Sequence, residues 1–373
     1  MAAQAIYLPP EIISLVLSFV QDLPEANETL TSCCLVSHEW WSMAAPILYE
    51  KPKIPPKHYT TFTTILTSND PLYAPKGELG QHVRRLDLSE LVYHSTNSLT
   101  ARLLRSVRQG LQVFIAPAYS ISSINLPSVA KCQKLRILDL SLVVTELTLS
   151  EIKTATKSIS SLTTLRLPRE TSLTLSSNDI PWPPNLTTLQ FGGDDPADIP
   201  DFSKSFSWPE KLSSLTLHGC KRLTLDSIFA IFENDLFRQN LRRLRITDDN
   251  YKLHFRIMAD FLPLVPKLTF LSLPGSDINS TTIPAMETLD MKLDLEILEL
   301  GKSFSTWVFP HSALTRALEG ALHKLRRIGF HEIHWSSEYA DLDQVLMANA
   351  KRAGYDERKL DSGEISTGCY VFP

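Results

Sequence analysis

A short apolar pattern that returns through most of the chain is the feature that most constrains its fold. The pattern is apolar-x-x-apolar-x-apolar, and its clearest copy is LSSLTL at residues 212–217. Side chains alternate along a strand, so positions 4 and 6 of each copy point to the same side. One copy cannot bury these side chains alone, and the period therefore predicts a ladder of stacked parallel strands. The copies begin at Val83, Leu111, Leu135, Leu162, Leu186, Leu212, Leu241, Leu268, Leu295 and Leu325.

The copies follow one another at intervals of 24 to 30 residues, and this spacing resembles that of leucine-rich repeats. The resemblance covers about residues 80 to 335. It implies an α/β fold, a solenoid with a parallel strand ladder and with short helices or loops on its convex side. The alternative is a set of unrelated short strands in a leucine-rich protein. The family's asparagine or cysteine position holds Cys220 in the clearest copy, and Leu91, Val143, Asp194, Asp249, Ser276 and Ser303 in others.

The segments between the copies predict the convex side. Helical spacing of apolar residues occurs at residues 99–107, 151–159, 227–232, 254–262 and 313–322. Proline-rich turns precede the copies at Leu186 and Leu212, so irregular loops are expected there. Residues 364–372 predict a terminal strand that covers the open end of the solenoid.

The first fifty residues contain no repeat and begin with a helix that is apolar nearly all round. Pro9 and Pro10 suit the first turn of a helix, and residues 12–20 follow with only a thin polar stripe. Such a helix is buried on more than one side. A three-helix segment of about 45 residues is too small to bury it alone. Either a partner protein or the first repeat of the solenoid therefore covers it.

Two motifs in this segment resemble an F-box. Residues 8–13 read LPPEII and resemble its beginning, and residues 35–40 read LVSHEW and resemble the start of its third helix. Residues 46–50 continue as in many fungal F-box proteins, although the connection at residues 21–28 is longer than the family's. The resemblance implies binding to the Skp-type adaptor of a cullin–RING ubiquitin ligase. It places Leu8, Pro9, Ile12, Leu35, Val36 and Trp40 at or just beneath that interface, with an internal core position as the alternative for several of them.

Composition excludes several other classes of protein. The net charge of −4 provides no basic field for a nucleic acid. The five cysteines form no C-x-x-C pair, which is typical of reduced thiols in the cytoplasm or nucleus. The apolar run at residues 12–20 follows Glu11 and is shorter than the roughly 20 residues that cross a membrane, so we expect neither secretion nor membrane insertion.

No catalytic or cofactor motif stands out in the sequence. Glycine-rich nucleotide loops and the G-x-S-x-G motif of hydrolases do not occur. HEIH at residues 331–334 differs from the zinc motif H-E-x-x-H because its histidines are three residues apart. The sequence therefore predicts no catalytic residue, no metal and no cofactor.

The outward positions of the predicted strands indicate where a target protein binds. They place Arg243 and Arg245 on one strand face near His218, a set suited to an acidic peptide. Phe270 and Ile297 hold equivalent positions in successive copies and predict a small apolar patch. The predicted target-binding residues on this concave face are Arg166, His218, Arg243, Arg245, Phe270 and Ile297. Ordinary solvated surface is the alternative interpretation of these residues.

These observations predict three regions. Residues 1–50 form the F-box-like helical domain, residues 51–80 a linker, and residues 81–373 a leucine-rich-repeat solenoid with a C-terminal cap. Interpreted through the resemblance, this order predicts a non-catalytic substrate-recognition adaptor of a Skp–cullin–F-box ubiquitin ligase. The alternative is a leucine-rich-repeat interaction scaffold unrelated to ubiquitin transfer, in which the N-terminal helices only cap the solenoid.

Overall fold

The structure is a computed structural model of the 373-residue chain. It divides into two compact units, unit 1 with Met1–Leu147 and Glu151–Thr164, and unit 2 with Thr148–Ser150 and Leu165–Pro373. The structure describes residues 8–68, 78–91, 96–172, 178–192, 206–220, 224–247, 250, 261–275, 282–287, 289–302, 311–332 and 340–372.

Unit 1 begins with helices. They are α1 (Pro10–Val20), α2 (Ala26–Cys34), α3 (His38–Glu50), a 3-10 turn (Pro56–His58), α4 (Tyr59–Thr67) and α5 (Glu78–His82). Pro10 pre-sets the first turn of α1 because its ring fixes φ and no backbone donor is lost there. The Ser37 side chain caps α3 by accepting a hydrogen bond of 3.2 Å from the backbone N of Trp40. The predicted linker, residues 51–80, thus includes the 3-10 turn, α4 and the start of α5.

The strands of unit 1 are short, parallel and paired in chain order. The elements are β1 (Arg85–Asp87), α6 (Asn97–Val107), β2 (Val113–Ile115), α7 (Leu126–Val129) and β3 (Ile137–Asp139), followed by β4 (Leu147–Thr148) and α8 (Leu149–Thr156) at the boundary of the two units. The register aligns Leu86, Phe114 and Leu138, which are fully buried. These residues occupy position 4 of the repeated pattern, so burial of that position holds the unit together.

An LDLS motif ends β1 and β3 in the same way. Oδ1 of Asp87 accepts hydrogen bonds from the backbone N and the hydroxyl of Ser89, at 3.2 and 2.7 Å. Oδ1 of Asp139 accepts the same two from Ser141, at 3.0 and 2.6 Å. Aspartate stabilises such turns because its short side chain reaches the backbone two residues further on.

Unit 2 continues the alternation of strands and connecting segments. Its elements are β5 (Thr164–Arg166), β6 (Thr171–Ser172), β7 (Thr188–Phe191), β8 (Ser214–Leu217), α9 (Leu225–Phe232), α10 (Asp235–Asn240), β9 (Arg243–Ile246), a 3-10 turn (Leu262–Leu264), β10 (Phe270–Leu273), α11 (Thr282–Glu287), β11 (Ile297–Leu300), α12 (His311–Glu319), β12 (Arg327–His331), α13 (Ala340–Arg352), α14 (Glu357–Asp361) and β13 (Gly368–Phe372).

The strands from β7 to β13 form a parallel ladder in which each strand pairs with the next. One row of this ladder is buried and contains Leu189, Leu215, Leu244, Leu271, Leu298 and Ile328. These are the fourth positions of the repeated pattern, so a leucine that no repeat can bury alone is buried by its neighbours. The predicted parallel ladder and the α/β solenoid class are confirmed.

The connecting segments also agree with the positions predicted from the sequence. Helices α6, α8, α9 and α12 lie at the predicted positions, with ends that differ by a few residues. Of the predicted helix at 254–262, only residues 261 and 262 lie within the described residues, and Leu262 begins a 3-10 turn. The proline-rich segments before β7 and β8 contain no helix between residues 181 and 187 or between 208 and 213. The predicted terminal strand is β13, which pairs in parallel with β12.

A buried asparagine forms hydrogen bonds to backbone groups at the end of one repeat of unit 2. The side chain of Asn250 accepts a hydrogen bond of 2.9 Å from the backbone N of Cys220. It donates to the carbonyl groups of Leu217 and Thr247, at 3.1 and 2.7 Å. The sequence pattern assigned the asparagine position of this repeat to Asp249, which lies outside the described residues. Asn250, one residue further, performs the role because its amide satisfies three buried backbone groups.

Candidate interaction surfaces

Helix α1 has one buried face and one exposed face. Ile13, Leu17 and Val20 are buried and pack with Leu30 and Ala44 in a core shared by the first three helices. Their spacing of four and three residues keeps them on one side of the helix. This core anchors α1, so the opposite face is held in a fixed orientation.

The exposed face of α1 is apolar. We call it the α1 apolar face and define it by Ile12, Leu15, Val16 and Phe19 of the helix, with Leu8 just before the helix and Leu23 just after it. Phe19 is 69% exposed. The residues of this face within α1 follow one another at helical spacing. Glu11 is the one charged residue between Pro10 and Val20. Exposed apolar side chains grouped in this way are typical of protein interaction sites, because their contact with water is unfavourable.

The turn between α2 and α3 exposes a second apolar pair. Leu35 is 84% exposed and Val36 is also exposed. Trp40 differs from them, because it is half-buried and packs against the core of the three helices. The resemblance placed all three residues at or beneath an interface. The structure thus presents Leu35 and Val36 to solvent and gives Trp40 mainly an internal packing role.

On the polar face of the unit 2 ladder, the side chain of Arg243 covers the ring of Phe270. The guanidinium carbon of Arg243 lies 3.9 Å from the ring centre of Phe270, and that of Arg245 lies 5.6 Å from it. Phe270 is only 5% exposed. Ile297 is its direct neighbour on β11, as the pattern predicts. Phe270 and Ile297 thus lie side by side, as the predicted small apolar patch requires, and the Arg243 guanidinium covers the Phe270 ring.

A second arginine on this face is held by a buried carboxylate. Arg245 forms a salt bridge of 2.7 Å with Glu299, which is 6% exposed. The hydroxyl of Tyr370 donates a hydrogen bond of 2.8 Å to the other oxygen of Glu299. Arg327 lies over the Tyr370 ring at 4.0 Å. Burial and the Glu299 carboxylate raise the pKa of Tyr370, with Arg327 and Arg245 acting in the opposite direction.

These side chains surround a recess of about 430 Å³ on the ladder face. We call it the arginine recess, and its lining includes Arg166, His218, Arg243, Arg245, Thr247 and Phe270. Nδ1 of His218 lies 3.1 Å from the hydroxyl oxygen of Thr247. The recess therefore brings together five of the six residues that the sequence placed at the target site. The sixth, Ile297, does not line it.

The sequence of the chain is similar to those of two curated yeast proteins. F-box protein YDR306C of Saccharomyces cerevisiae is 30% identical over 251 residues, which are 64% of this chain and 50% of that protein. Protein pof5 of Schizosaccharomyces pombe is 25% identical over 291 residues, which are 78% of this chain and 78% of that protein. The chain is thus similar in sequence to an F-box protein. It spans about half the length of YDR306C. No protein-family model matches the chain.

Two solved structures resemble the fold at low sequence identity. One is the crystal structure of the Rad7 and Elc1 complex in yeast, at 14% identity, a TM-score of 0.43, and coverage of 87% of this chain and 81% of the other. The other is the leucine-rich repeat-containing protein LegL7 from Legionella pneumophila, at 15% identity, a TM-score of 0.44, and coverage of 72% and 87%. The parallel pairing of the strands establishes the solenoid without them.

Four exposed apolar residues in α1 and just after it were not among the residues that the F-box resemblance indicated. Leu15, Val16, Phe19 and Leu23 are as exposed as the predicted Leu8 and Ile12. The motif LPPEII ends at residue 13, so the resemblance did not extend to them. Helical spacing from Ile12 to residues 15, 16 and 19 is the signal that identifies the three that lie in α1. In the part of the chain that the structure describes, no helix has the length and apolar character that crossing a membrane requires.

Proposed function

We propose that this chain is a substrate-recognition adaptor of a Skp–cullin–F-box ubiquitin ligase. The helices of unit 1 bind a Skp-type adaptor, and through it a cullin, while the repeat ladder binds the target protein. The chain performs no bond chemistry itself in this role. It raises the effective concentration of the target beside the catalytic partners of the ligase.

The exposed apolar face of α1 is the observation that carries this proposal. A helix that only capped the solenoid would bury its apolar side chains within the chain. Ile12, Leu15 and Phe19 remain exposed in the folded chain, although Ile13 and Leu17 on the other side are fully packed. A surface of this composition favours an apolar partner, and the sequence similarity to an F-box protein indicates the class of that partner.

Substitution of the α2–α3 turn tests the proposal in the full chain. Leu35→Lys combined with Val36→Lys removes two apolar contacts, each worth about 1.5–3 kcal/mol when buried. We expect the Kd for a recombinant Skp-type adaptor, measured by titration calorimetry, to rise about 100-fold or more. The thermal midpoint of unfolding should stay within about 2 °C, because both side chains are exposed.

A matched control uses another exposed apolar residue of unit 1. Ile124 is 72% exposed and lies outside the first three helices, between β2 and α7. Ile124→Lys should leave adaptor binding unchanged. If the folded wild-type chain does not bind the adaptor, or if the double variant binds as well as wild type, the ligase proposal is wrong. A leucine-rich-repeat scaffold unrelated to ubiquitin transfer is then the better interpretation.

A further inference from the structure

The arginine recess is built from side chains that the protein fixes before any ligand arrives. The guanidinium carbon of Arg243 lies over the Phe270 ring, 3.9 Å from the ring centre. A cation over a ring face is attracted by the ring's electrons, so the contact limits the rotamers of Arg243. Arg245 is oriented by its 2.7 Å salt bridge to the buried Glu299. Because little side-chain freedom remains to be lost, binding to these groups is favoured.

The chemistry of the lining suits an anion. Three arginines and a histidine contribute cationic or polar N–H groups. The other lining residues carry hydroxyl or amide groups, apart from Leu215 and Phe270. Among the described residues that line the recess, none is a carboxylate. Arginine matches the planar geometry of carboxylate and phosphate groups and binds either with two hydrogen bonds.

The size of the recess indicates a peptide. Its lining residues lie on or directly after β5, β7, β8, β9 and β10, which are successive neighbours in the sheet. Four strand spacings amount to about 19 Å, the length of about six residues of extended chain. A volume of about 430 Å³ also exceeds what one small inorganic ion fills.

We propose that the arginine recess binds an anionic side chain, phosphorylated or acidic, within an extended segment of the target protein. This inference rests on the proposed function, because it specifies which targets the ladder recognises. Arg243 and Arg245 are the principal anion contacts, and Phe270 positions Arg243. A phosphate group carries about −1.5 to −2 charges near neutral pH, so the three arginines favour it over a carboxylate.

Peptide libraries with one fixed position test this inference. Three fluorescent libraries have degenerate flanking residues and carry phosphoserine, glutamate or serine at the centre. Fluorescence anisotropy with the full chain measures their binding. We expect the phosphoserine library to bind about tenfold or more tightly than the serine library. Preference for phosphoserine over glutamate identifies phosphate as the source of the anion, and equal binding identifies acidic side chains. Equal binding of all three libraries contradicts the inference.

Two arginines on the same face provide a matched pair of variants. Arg243 and Arg327 both cover an aromatic ring, at 3.9 and 4.0 Å, but only Arg243 lines the recess. Arg243→Gln should abolish the preference for the anionic library, and Arg243→Lys should retain part of it because the charge remains. Arg327→Gln should leave the preference unchanged. If Arg243→Gln binds the anionic library as wild type does, the recess is not the site.

Adaptor binding, measured on the same samples, separates this inference from the proposed function. Arg243→Gln should bind the Skp-type adaptor with wild-type affinity, because Arg243 lies in unit 2 and the α1 apolar face in unit 1. A chain that binds the adaptor but shows no anion preference overturns only the inference about the recess. A chain that prefers anionic peptides but does not bind the adaptor overturns the ligase proposal instead.

Discussion

The helices of unit 1 expose large apolar side chains, whereas the ladder of unit 2 buries them. Among the described residues, all the large apolar side chains that are strongly exposed lie in unit 1, except Val371 at the terminal strand. The ladder of unit 2 buries its leucines and exposes arginines that are held by Phe270 and Glu299. Unit 1 therefore offers surface whose binding depends on apolar contact, whereas unit 2 offers surface that selects by charge and geometry.

This difference matters for what each region can recognise. Apolar contact is non-directional and tolerates changes in a partner's side chains, which suits a constant partner such as a ligase adaptor. Oriented guanidinium groups discriminate strongly between a ligand with an anion and one without, which suits the choice of a target. The comparison predicts that substitutions in the two regions affect different measurements.

Among single substitutions, Phe19 provides the test with the largest expected effect. Phe19→Lys removes the most exposed aromatic side chain of the α1 apolar face, and a lysine near the end of a helix is compatible with the helix dipole. A buried aromatic anchor typically contributes 2 kcal/mol or more to an interface, so we expect about a 30-fold to 100-fold rise in the adaptor Kd. Titration calorimetry measures the affinity, and circular dichroism checks that the helices remain.

The outcome of this test either supports or weakens the comparison. Peptide binding at the arginine recess should stay unchanged in the Phe19 variant, and Ile124→Lys should affect neither measurement. If Phe19→Lys binds the adaptor normally, the α1 apolar face does not carry adaptor recognition. If the variant unfolds, the face is part of the fold, and the contrast between the two regions is smaller than the exposed fractions indicate.

Much of the ladder was predictable from the sequence because one physical requirement repeats in every copy. Leu215 and Leu244 occupy position 4 of their copies, and burying that position requires a neighbouring strand. The α1 helix was predictable for the same kind of reason, since Pro10 and a run of apolar residues define its start and its character. Periodicity therefore indicated both elements before any contact between residues was known.

The details that involve contacts between repeats were not predictable in the same way. The side chain of Arg243 from the neighbouring strand covers Phe270, and the predicted small apolar patch gave no sign of that contact. Asn250 closes a repeat although the pattern pointed one residue earlier. Both depend on how side chains of adjacent repeats meet, and a pattern within one repeat carries no information about that.

Gly329 provides a test of how tightly the ladder face is packed. A Cβ at this position would lie 2.8 Å from Cζ of Tyr370, 2.9 Å from Cγ of Glu299 and 3.0 Å from Cδ1 of Phe372. Gly329→Ala should therefore displace side chains of β13 and lower the free energy of unfolding by about 1–3 kcal/mol. Urea denaturation measures this change.

Gly320→Ala is the matched control for this substitution. At Gly320 the nearest atoms to an added Cβ are 3.9 Å away, so the change should stay within about 0.5 kcal/mol. Equal stability of the two variants would show that β13 and the Glu299–Tyr370 contact move to accommodate the added methyl group at little cost in stability. The side chains of the ladder face would then be packed no more tightly than those of an ordinary surface. The contrast with unit 1 would be weaker.

The titration of Tyr370 is the test with the smallest expected effect. Burial and Glu299 raise the pKa of its phenol in the folded chain above the ordinary value of 10.0. Folding thus favours the protonated phenol, and this contribution to stability is present below pH 10 and is lost as the pH rises above it. Tyr370→Phe lacks this group, so the difference in stability between wild type and variant should shrink from about pH 8 to about pH 11. Urea denaturation at several pH values measures the difference. A difference that stays constant across this range would show that Glu299 and Tyr370 are not coupled, and that Arg245 is oriented by its salt bridge to Glu299 alone.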